Sequence, residues 1–398
     1  MIEKTSQDQK PKIMIIAAEA SSAQYALQIM QYWKSVKFEA DIFGVGTKAM
    51  EDLGMRRIGR SEDMAVVGLV EVLKHYNELK KTFNQLVDEA LNLKPDFVLL
   101  LDYPDFNLRL AETLKKKMGT TGIKVFYYIS PQIWAWRQGR VHQIKKYCDK
   151  VFVILPFEKN FYDQYLVPNE FVGHPLLDDL KDEYFDVDVK NRSRQKYGIM
   201  ATEKVLALMP GSRKGEIERN FPTQIETARI LYKMHPNIRV AVFVAPTLSK
   251  EVIQQYCDDV NFPFTFIQDE PHKMISMADY VLVASGTATL MVGLQLKPMV
   301  IMYKLNQLTG FLAKFLVRGV KYFGLVNLIL NKEAVPERFQ AEANPENLAK
   351  LINQMITQPE YEKQIVQDLS KLKRSLGEAG ATRKVAETLM KTCQKGLS

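Results

Sequence analysis

The regular alternation of short apolar runs with longer amphipathic stretches most constrains how this chain of 398 residues can fold. Such alternation predicts βαβ units, in which helices cover both faces of a parallel sheet. The predicted strands fall into two groups, at residues 12–18, 39–43, 96–102, 124–129 and 150–155, and at residues 204–209, 239–244, 264–267, 279–284 and 299–303. The sequence therefore predicts an α/β protein with two doubly wound, Rossmann-like halves.

The two groups of strands are separated by an acid-rich stretch at residues 178–191 that has little helical or strand continuity, which is typical of a linker. We expect an amino-terminal domain over residues 1–180 and a carboxyl-terminal domain over residues 181–345. Residues 346–398 form a third, helical segment, since Asn344 is a candidate N-cap and Pro345 suits the first helical position. We expect this segment to pack back on the first domain.

Composition excludes several classes of protein. No apolar run approaches the roughly 18 residues of a membrane span, and the polar amino terminus lacks the apolar core of a secretory signal. We expect a cytoplasmic location. The three cysteines are far apart, so neither a disulfide framework nor a cysteine-based zinc site is indicated. The net charge of +8 favours anionic partners in general, and because no nucleic-acid-binding motif is present, nucleic acid ranks last among them.

Two turns between a strand and a helix in the second half resemble phosphate sites. Ligands of open α/β sheets bind beyond the carboxyl ends of the strands, here in a cleft expected between the two halves. Residues 210–216 (PGSRKGE) combine backbone amides, a helix amino terminus and a guanidinium, which suits a diphosphate as well as it suits a plain turn with a solvated arginine. Residues 284–289 (ASGTAT) form a second such turn, although capping alone explains serine and threonine there.

The first half carries a candidate general base. Asp102 ends the apolar run FVLLLD at the carboxyl end of a predicted strand, where partial burial raises the pKa of a carboxyl toward the range that a base needs. Asp105 follows at the start of the next helix, and we expect it to cap that helix. Asp102 is harder to explain by capping.

Three other segments allow either a functional or a structural interpretation. Residues 129–137 (ISPQIWAWR) with Arg140 suit an amphipathic, anionic acceptor, although tryptophan at a helix start often only packs. His174, in residues 171–175 (FVGHP), ends the last strand of the first half at the edge of the expected cleft, and a lone histidine is more often structural. The apolar residues 64–74 form either a lipid-facing surface or a core-facing helix. The acid pair at residues 186–188 (DVD) is expected to be solvated.

Together these segments make the chain resemble the lipid-A-disaccharide synthase family, inverting glycosyltransferases of the GT-B fold, in which two Rossmann-like domains face each other across a cleft. The resemblance covers nearly the whole chain, and WAWR is its most specific part. The segments that carry it are residues 18–21 (AEAS), 66–73 (VVGLVEVL), 102–107 (DYPDFN), 130–137 (SPQIWAWR), 155–159 (LPFEK), 173–175 (GHP), 210–213 (PGSR), 285–288 (SGTA) and 327–328 (NL).

The resemblance implies a reaction. 2,3-Diacylglucosamine passes from its UDP conjugate to the 6-hydroxyl of 2,3-diacylglucosamine 1-phosphate, which gives a β-1′,6-linked disaccharide 1-phosphate and UDP. The family needs neither a metal nor another cofactor, and it works as a peripheral protein on the cytoplasmic face of the inner membrane. A homodimer is possible.

The resemblance also implies roles for individual residues. Asp102 is the base, and Glu19 and Ser21 are catalytic with it. Val70, Val72 and Leu73 contact the membrane. The residues implied to bind substrate are Asn107, Trp136, Arg137, His174, Ser212, Arg213, Ser285, Gly286, Thr287 and Asn327.

The chain departs from the family pattern at several positions. Where the family has AGExSGD, this chain has AAEASSA at residues 17–23. Ala18 and Ser22 stand in place of the two glycines, and Ala23 stands in place of the aspartate. The usual glutamate after SGTAxL is Met291, and the usual proline before Asn327 is valine. These departures keep two alternatives open. One is a divergent paralogue with an altered acceptor or a non-catalytic lipid-binding role, and the other is a different UDP-sugar enzyme of this fold, such as a 2-epimerase.

Overall fold

The structure, a computed structural model, describes residues 10–64, 69–119, 122–135, 137–246, 248–257, 259–304 and 322–395. The chain forms two compact units. One consists of residues 1–178 with 376–398, and the other consists of residues 179–375. Each unit is built on one parallel sheet with helices between successive strands. The predicted α/β class with two doubly wound halves is confirmed.

The first unit contains a seven-stranded sheet of order β3-β2-β1-β4-β5-β6-β7, in which the chain starts near the centre and winds first to one edge and then to the other. Its strands are β1 Lys12–Ala17, β2 Asp41–Gly46, β3 Arg56–Arg60, β4 Phe97–Leu101, β5 Lys124–Tyr128, β6 Lys150–Val153 and β7 Asn169–Phe171. Its helices begin with α1 Ala20–Ser35, α2 Lys48–Asp52, α3 Ser61–Met64, α4 Leu69–Leu93, α5 Pro104–Met118, α6 Val141–Tyr147 and α7 Pro156–Gln164.

The centre of this sheet is fully buried, because helices cover both of its faces. All five residues of β4 are inaccessible to solvent, which explains its unbroken apolar sequence. The predicted strand at residues 39–43 lies too early, since β2 begins at Asp41 and continues through two glycines to Gly46. Gly44 has φ +135°, and a Cβ there would lie 2.1 Å from the carbonyl oxygen of Ile15 on β1. Close contact between neighbouring strands therefore requires glycine at this position.

The second unit contains a six-stranded parallel sheet of order β10-β9-β8-β11-β12-β13. Its strands are β8 Lys204–Met209, β9 Ile238–Phe243, β10 Phe264–Ile267, β11 Tyr280–Ala284, β12 Met299–Tyr303 and β13 Glu337–Phe339. Its helices are α8 Val187–Gln195, α9 Lys214–Met234, α10 Glu251–Gln254, α11 Pro271–Ser276, α12 Ala288–Leu294, α13 Leu325–Leu330, α14 Pro345–Thr357 and α15 Pro359–Ser375. Five predicted strands of this half agree with β8 to β12 to within one residue.

One prediction about the region between the halves was wrong. The expected linker contains the helix α8, whose first turn is stabilised because the Asp186 carboxylate accepts hydrogen bonds from the amides of Asp188 and Val189. The two acids of the DVD segment are exposed, as the sequence predicted, and Asp186 also caps the helix. The sequence also missed β3 and β13, which lie at edges of the two sheets.

The final helix, α16 Ala381–Lys395, packs on α1 of the first unit. The indole N–H of Trp33 donates to the carbonyl oxygen of Ala386 at 3.1 Å, and the Tyr32 hydroxyl donates to Glu387 at 2.8 Å. The return of the carboxyl-terminal segment to the first unit is thus confirmed for its last helix, whereas α14 and α15 belong to the second unit. Within the described ranges, no helix has the length and apolar character needed to cross a membrane.

Candidate active site

Asp102 lies directly after the buried strand β4, in an unusual turn. Asp102 and Tyr103 both have left-handed backbone conformations, with φ +47° and +45°, and such residues each cost about 1–3 kcal/mol. The turn is held through the Asp102 carbonyl oxygen, which accepts hydrogen bonds from the Tyr127 hydroxyl and from the side-chain amide of Asn107. The buried Asn107 also donates to the Leu101 carbonyl oxygen at 3.1 Å. Hydrogen bonds from Tyr127 and Asn107 thus hold the strained backbone of this turn, and the turn positions the Asp102 carboxyl.

The Asp102 carboxyl is suited to accept a proton near neutral pH. Its pKa is raised from 3.8 to about 6, chiefly by burial and next by the negative charge of Glu19, while a hydrogen bond from the Tyr103 amide opposes both effects. A base works best when its pKa lies close to the working pH. The same burial and the charge of Glu19 raise the pKa of the Tyr103 hydroxyl, which keeps that group protonated.

Glu19 and Ser21 lie at the amino terminus of α1, next in space to the Asp102 turn. Glu19 is the N-cap residue, and its amide donates to the Ser22 hydroxyl at 3.2 Å while that hydroxyl donates back to the Glu19 carbonyl oxygen. The helix start is thereby fixed, with the Glu19 charge within range of Asp102. Ser21 belongs to the first turn of α1, and its side chain lies outside the described residues.

The aromatic segment after β5 is held by a hydrogen bond to the buried carboxyl group of Glu158. The Trp134 indole N–H donates to Glu158 at 3.3 Å, and Glu158 also accepts from the amides of Ile154 and Leu155 at the start of α7. Burial raises the pKa of Glu158 to about 7. Trp134 therefore serves the packing of this segment, while Trp136 lies outside the described residues.

Asp105 does not cap α5 as we expected. The N-cap position belongs to Tyr103, and Asp105 is the second residue of the helix, after Pro104. Its carboxylate forms ion pairs with the guanidinium groups of Arg140 and Arg137, the latter at 3.4 Å. The predicted acceptor residue Arg137 is thereby brought to the start of α5, close to the Asp102 turn.

In the second unit, the loop between β8 and α9 presents Arg213, whose side chain is 58% exposed. The sequence did not anticipate the role of Glu216. Its carboxylate accepts a hydrogen bond from the Ser212 amide at 2.9 Å and lies 3.8 Å from the Arg213 guanidinium. Gly211 has φ +126°, and a Cβ there would lie 2.4 Å from a carboxylate oxygen of Glu216. The loop thus holds its own carboxylate where the sequence predicted a bound phosphate.

The turn after β11 lies at the neighbouring strand end, because β11 pairs with β8. Gly286 and Thr287 are exposed, and the first amides of α12 follow them, as the sequence predicted for this turn. Ser285 extends the sheet, since its amide donates to the Met302 carbonyl oxygen at 3.0 Å. The predicted anion-binding residues of this half therefore come from adjacent strands of one sheet edge.

Sequence reasoning missed Lys304, which follows the next strand along this edge. Its ammonium group donates to the Thr223 hydroxyl on α9 at 2.5 Å, and burial lowers its pKa. The signal was available, because Lys304 is a basic residue directly after the predicted strand at residues 299–303. Lys304 adds a second cation to the edge that carries Arg213.

Two predicted substrate-binding residues are buried and serve the fold. The His174 ring accepts a hydrogen bond from the Leu176 amide at 3.2 Å, and burial lowers its pKa to about 4, so the ring is neutral. The side chain of Asn327 exchanges hydrogen bonds with the backbone of Val335 in both directions and donates to Glu337. Their roles in substrate binding stay predictions.

Known proteins that resemble this chain identify its family. A model of the lipid-A-disaccharide synthetase family matches residues 13–392. The lipid-A-disaccharide synthase of Trichlorobacter lovleyi is 39% identical over 379 residues, which is 95% of this chain and 96% of that protein. Lipid-A-disaccharide synthase 1 of Legionella pneumophila is 39% identical over 373 residues, 93% of this chain and 94% of that protein. The chain belongs to the lipid-A-disaccharide synthetase family. The predicted resemblance and the predicted function, lipid A disaccharide synthesis by a glycosyltransferase, are confirmed.

Solved structures support the GT-B fold. The UDP-GlcNAc 2-epimerase of Neisseria meningitidis superposes with a TM-score of 0.64, covering 96% of this chain and 100% of that chain at 13% identity. MurG of Acinetobacter baumannii gives a TM-score of 0.59, with the same coverage at 14% identity. At such identities the likeness concerns the fold alone, so it does not favour an epimerase over a lipid-A-disaccharide synthetase.

The departures from the lipid-A-disaccharide synthetase pattern have local structural effects. Ser22, at a family glycine position, provides the hydroxyl that fixes the start of α1. Ala23, at the family aspartate position, is buried. Met291, at the family glutamate position, is half-buried on α12. The predicted membrane residues Val70, Val72 and Leu73 belong to α4, but their side chains lie outside the described residues.

Proposed function

We propose that this member of the lipid-A-disaccharide synthetase family transfers 2,3-diacylglucosamine from its UDP conjugate to 2,3-diacylglucosamine 1-phosphate, with Asp102 as the general base. One observation carries the assignment of the base. The Asp102 carboxyl is half-buried at the carboxyl end of β4, beside the charge of Glu19, and its pKa is raised to about 6. Such a group is ionised at neutral pH and still basic enough to accept a proton.

The proposed reaction uses Asp102 as its base. Asp102 accepts the proton of the acceptor 6-hydroxyl as the hydroxyl oxygen forms a bond to the anomeric carbon of the donor sugar. The bond between that carbon and the diphosphate oxygen breaks, and its electron pair leaves on UDP. Attack from the face opposite the leaving group inverts the anomeric centre and yields the β-linkage. Partial burial of Asp102 lowers the local dielectric constant, which strengthens its interaction with the hydroxyl.

The donor diphosphate would be held in the second unit. Arg213 is the exposed cation of the β8–α9 loop, and the Ser285, Gly286 and Thr287 turn supplies amides at the adjacent strand end. Negative charge that develops on the leaving UDP would be stabilised there. Because the Ser212 amide already donates a hydrogen bond to the Glu216 carboxylate, a donor phosphate that binds this amide would displace the carboxylate from the loop.

The remaining predicted residues would act around these two centres. Glu19 tunes the base through its charge, and Asn107 holds the backbone of the Asp102 turn. Trp136 and Arg137 would bind the acceptor. The proposal also includes peripheral attachment to the cytoplasmic face of the inner membrane through the first turns of α4, and assembly as a homodimer.

The decisive experiment supplies the purified protein with UDP-2,3-diacylglucosamine and 2,3-diacylglucosamine 1-phosphate. We expect disaccharide 1-phosphate and UDP in equal amounts, and a loss of turnover of roughly 10²–10⁴-fold in Asp102→Asn with UDP binding retained. Asp88→Asn, an exposed aspartate on α4, is the matched control. Full turnover in Asp102→Asn would remove it from the role of base.

Two other outcomes would replace the proposal. Epimerisation of UDP-N-acetylglucosamine in the absence of an acceptor would indicate the alternative UDP-sugar enzyme. Binding of both lipids without any product would indicate a non-catalytic paralogue, which the departures at Ser22, Ala23 and Met291 suggested.

A further inference from the structure

A basic groove lies beside the amino terminus of α5, next to the Asp102 turn. It encloses about 430 Å³ and is lined in part by Asp105, Arg109, Arg137, Arg140 and Gln143. Three of these residues carry guanidinium groups, which bind carboxylate or phosphate oxygens through paired hydrogen bonds. The groove is therefore built to receive an oxyanion.

The groove already holds an oxyanion of the chain itself. The Asp105 carboxylate contacts Arg140 and Arg137 together, so the two guanidinium groups converge on one position. The Arg140 side chain is only 16% exposed and thus fixed, whereas the Asp105 side chain is 68% exposed. Asp105 can rotate out toward solvent, while Arg140 remains where the oxyanion would bind.

The charges in the groove are not balanced by its own carboxylates. Asp105 is shared between two arginines, and Arg109 forms no ion pair within the part of the chain that the structure describes. The other acid of the groove, Glu112, is engaged by Lys116 at 2.7 Å and by the Tyr147 hydroxyl at 2.9 Å. A phosphate monoester, with two negative charges, would match this excess better than the single charge of Asp105.

The groove lies at a suitable distance from the base. Asp105 is three residues from Asp102, a length of chain that spans at most about 11 Å. In the acceptor, the reacting 6-hydroxyl is carried on C5 through C6 and the phosphate is carried on C1, and these two carbons flank the oxygen of one pyranose ring. An acceptor whose hydroxyl reaches Asp102 therefore has its phosphate within reach of the start of α5.

We infer that Arg140, with Arg137 and Arg109, binds the phosphate group of the acceptor, and that Asp105 occupies this phosphate site until the acceptor displaces it. The inference rests on the proposed function and adds to it the group that selects the acceptor. Arg140 and Arg109 are thus specificity residues that touch the substrate phosphate, remote from the reacting atoms.

The test compares two acceptors, 2,3-diacylglucosamine 1-phosphate and the same lipid without phosphate, in detergent micelles. For each enzyme variant, the measured quantity is the ratio of kcat/KM for the phosphorylated acceptor to kcat/KM for the other. We expect Arg140→Gln to lower this ratio about tenfold or more, as for loss of a charged hydrogen bond. Arg56→Gln, an exposed arginine on β3 that pairs with Glu89, is the matched control.

Asp105→Asn provides a test of opposite sign. Removing the competing carboxylate frees both guanidinium groups, so the KM for the phosphorylated acceptor should fall. A reduction of kcat/KM by the same factor for both acceptors, in either Arg140→Gln or Asp105→Asn, would overturn the inference and leave these residues a structural role.

Two further measurements separate the inference from its alternatives. Glucosamine 1-phosphate should bind the wild-type protein in calorimetry and bind Arg140→Gln more weakly, whether or not the enzyme forms disaccharide. If Arg140→Gln instead loses binding to phosphatidylglycerol vesicles while its acceptor ratio stays at the wild-type value, the groove binds lipid headgroups of the membrane and the inference is wrong.

Discussion

Replacing Asp102 by asparagine should stabilise the fold while removing activity. In the folded protein the pKa of this carboxyl is raised from 3.8 to about 6, chiefly by burial and next by the charge of Glu19. The folded state therefore binds the Asp102 proton more tightly than the unfolded state does. Ionisation above pH 6 consequently opposes folding, and asparagine, which has a similar shape and no charge, escapes that penalty.

The expected magnitude follows from the size of the shift. Each pKa unit corresponds to 1.36 kcal/mol, so a shift of about two units gives about 3 kcal/mol in favour of Asp102→Asn at pH 8. The penalty is complete above the folded pKa, declines as the pH falls from 6 toward 3.8, and vanishes below that value because both states are then protonated. The stability gain of the variant should show the same dependence.

Urea unfolding of wild type and Asp102→Asn at a series of pH values measures this difference directly. The free-energy difference between the two proteins cancels most contributions from other titrating groups. Asp88→Asn, which alters an exposed carboxylate, should show no comparable gain. An Asp102→Asn protein that is no more stable than wild type at pH 8, or whose gain persists at pH 4, would refute the reasoning that burial of this charge opposes folding.

Other substitutions test the remaining contacts. In Glu19→Gln, loss of the neighbouring charge should lower the pKa of Asp102, so the acid limb of the kcat/KM profile should move below pH 6; an unmoved limb would exclude this coupling. Arg213→Ala should weaken UDP binding in calorimetry by about tenfold or more, and an unchanged affinity would exclude Arg213 from the diphosphate site. Asp178→Ala removes the acceptor for amides of Gly380 and Thr382 at the start of α16, so it should destabilise that helix by about 1 kcal/mol. Amide hydrogen exchange along α16 measures this loss of stability. Equal protection of α16 in Asp178→Ala and in the wild type would contradict the prediction.

The sequence predicted the buried strands because burial leaves a clear pattern. A central strand such as β4 is apolar at every position, and it was located to within a residue. An edge strand faces solvent, so β3 has the sequence RRIGR and β13 has three half-buried residues. Neither contains an apolar run, and only pairing with a neighbour in the folded protein makes them strands.

The sequence predicts those site residues that directly follow a recognisable strand. It does not predict the features of the site that depend on contacts between residues distant in the chain. Asp102 could be found because it follows β4. Its left-handed turn could not be foreseen, since it is maintained by Tyr127 from another strand. For the same reason, the hydrogen bond from the Ser212 amide to the Glu216 carboxylate could not be predicted from the sequence.

The order in which the chain is made matters for the contact between Trp33 and α16. Trp33 is synthesised early, but the carbonyl oxygen that accepts its indole N–H belongs to Ala386. A ribosome must therefore translate the entire second unit before the first can be completed. Until release, the face of α1 that receives α16 stays uncovered, so the docking of this helix is the last step in the folding of the first unit.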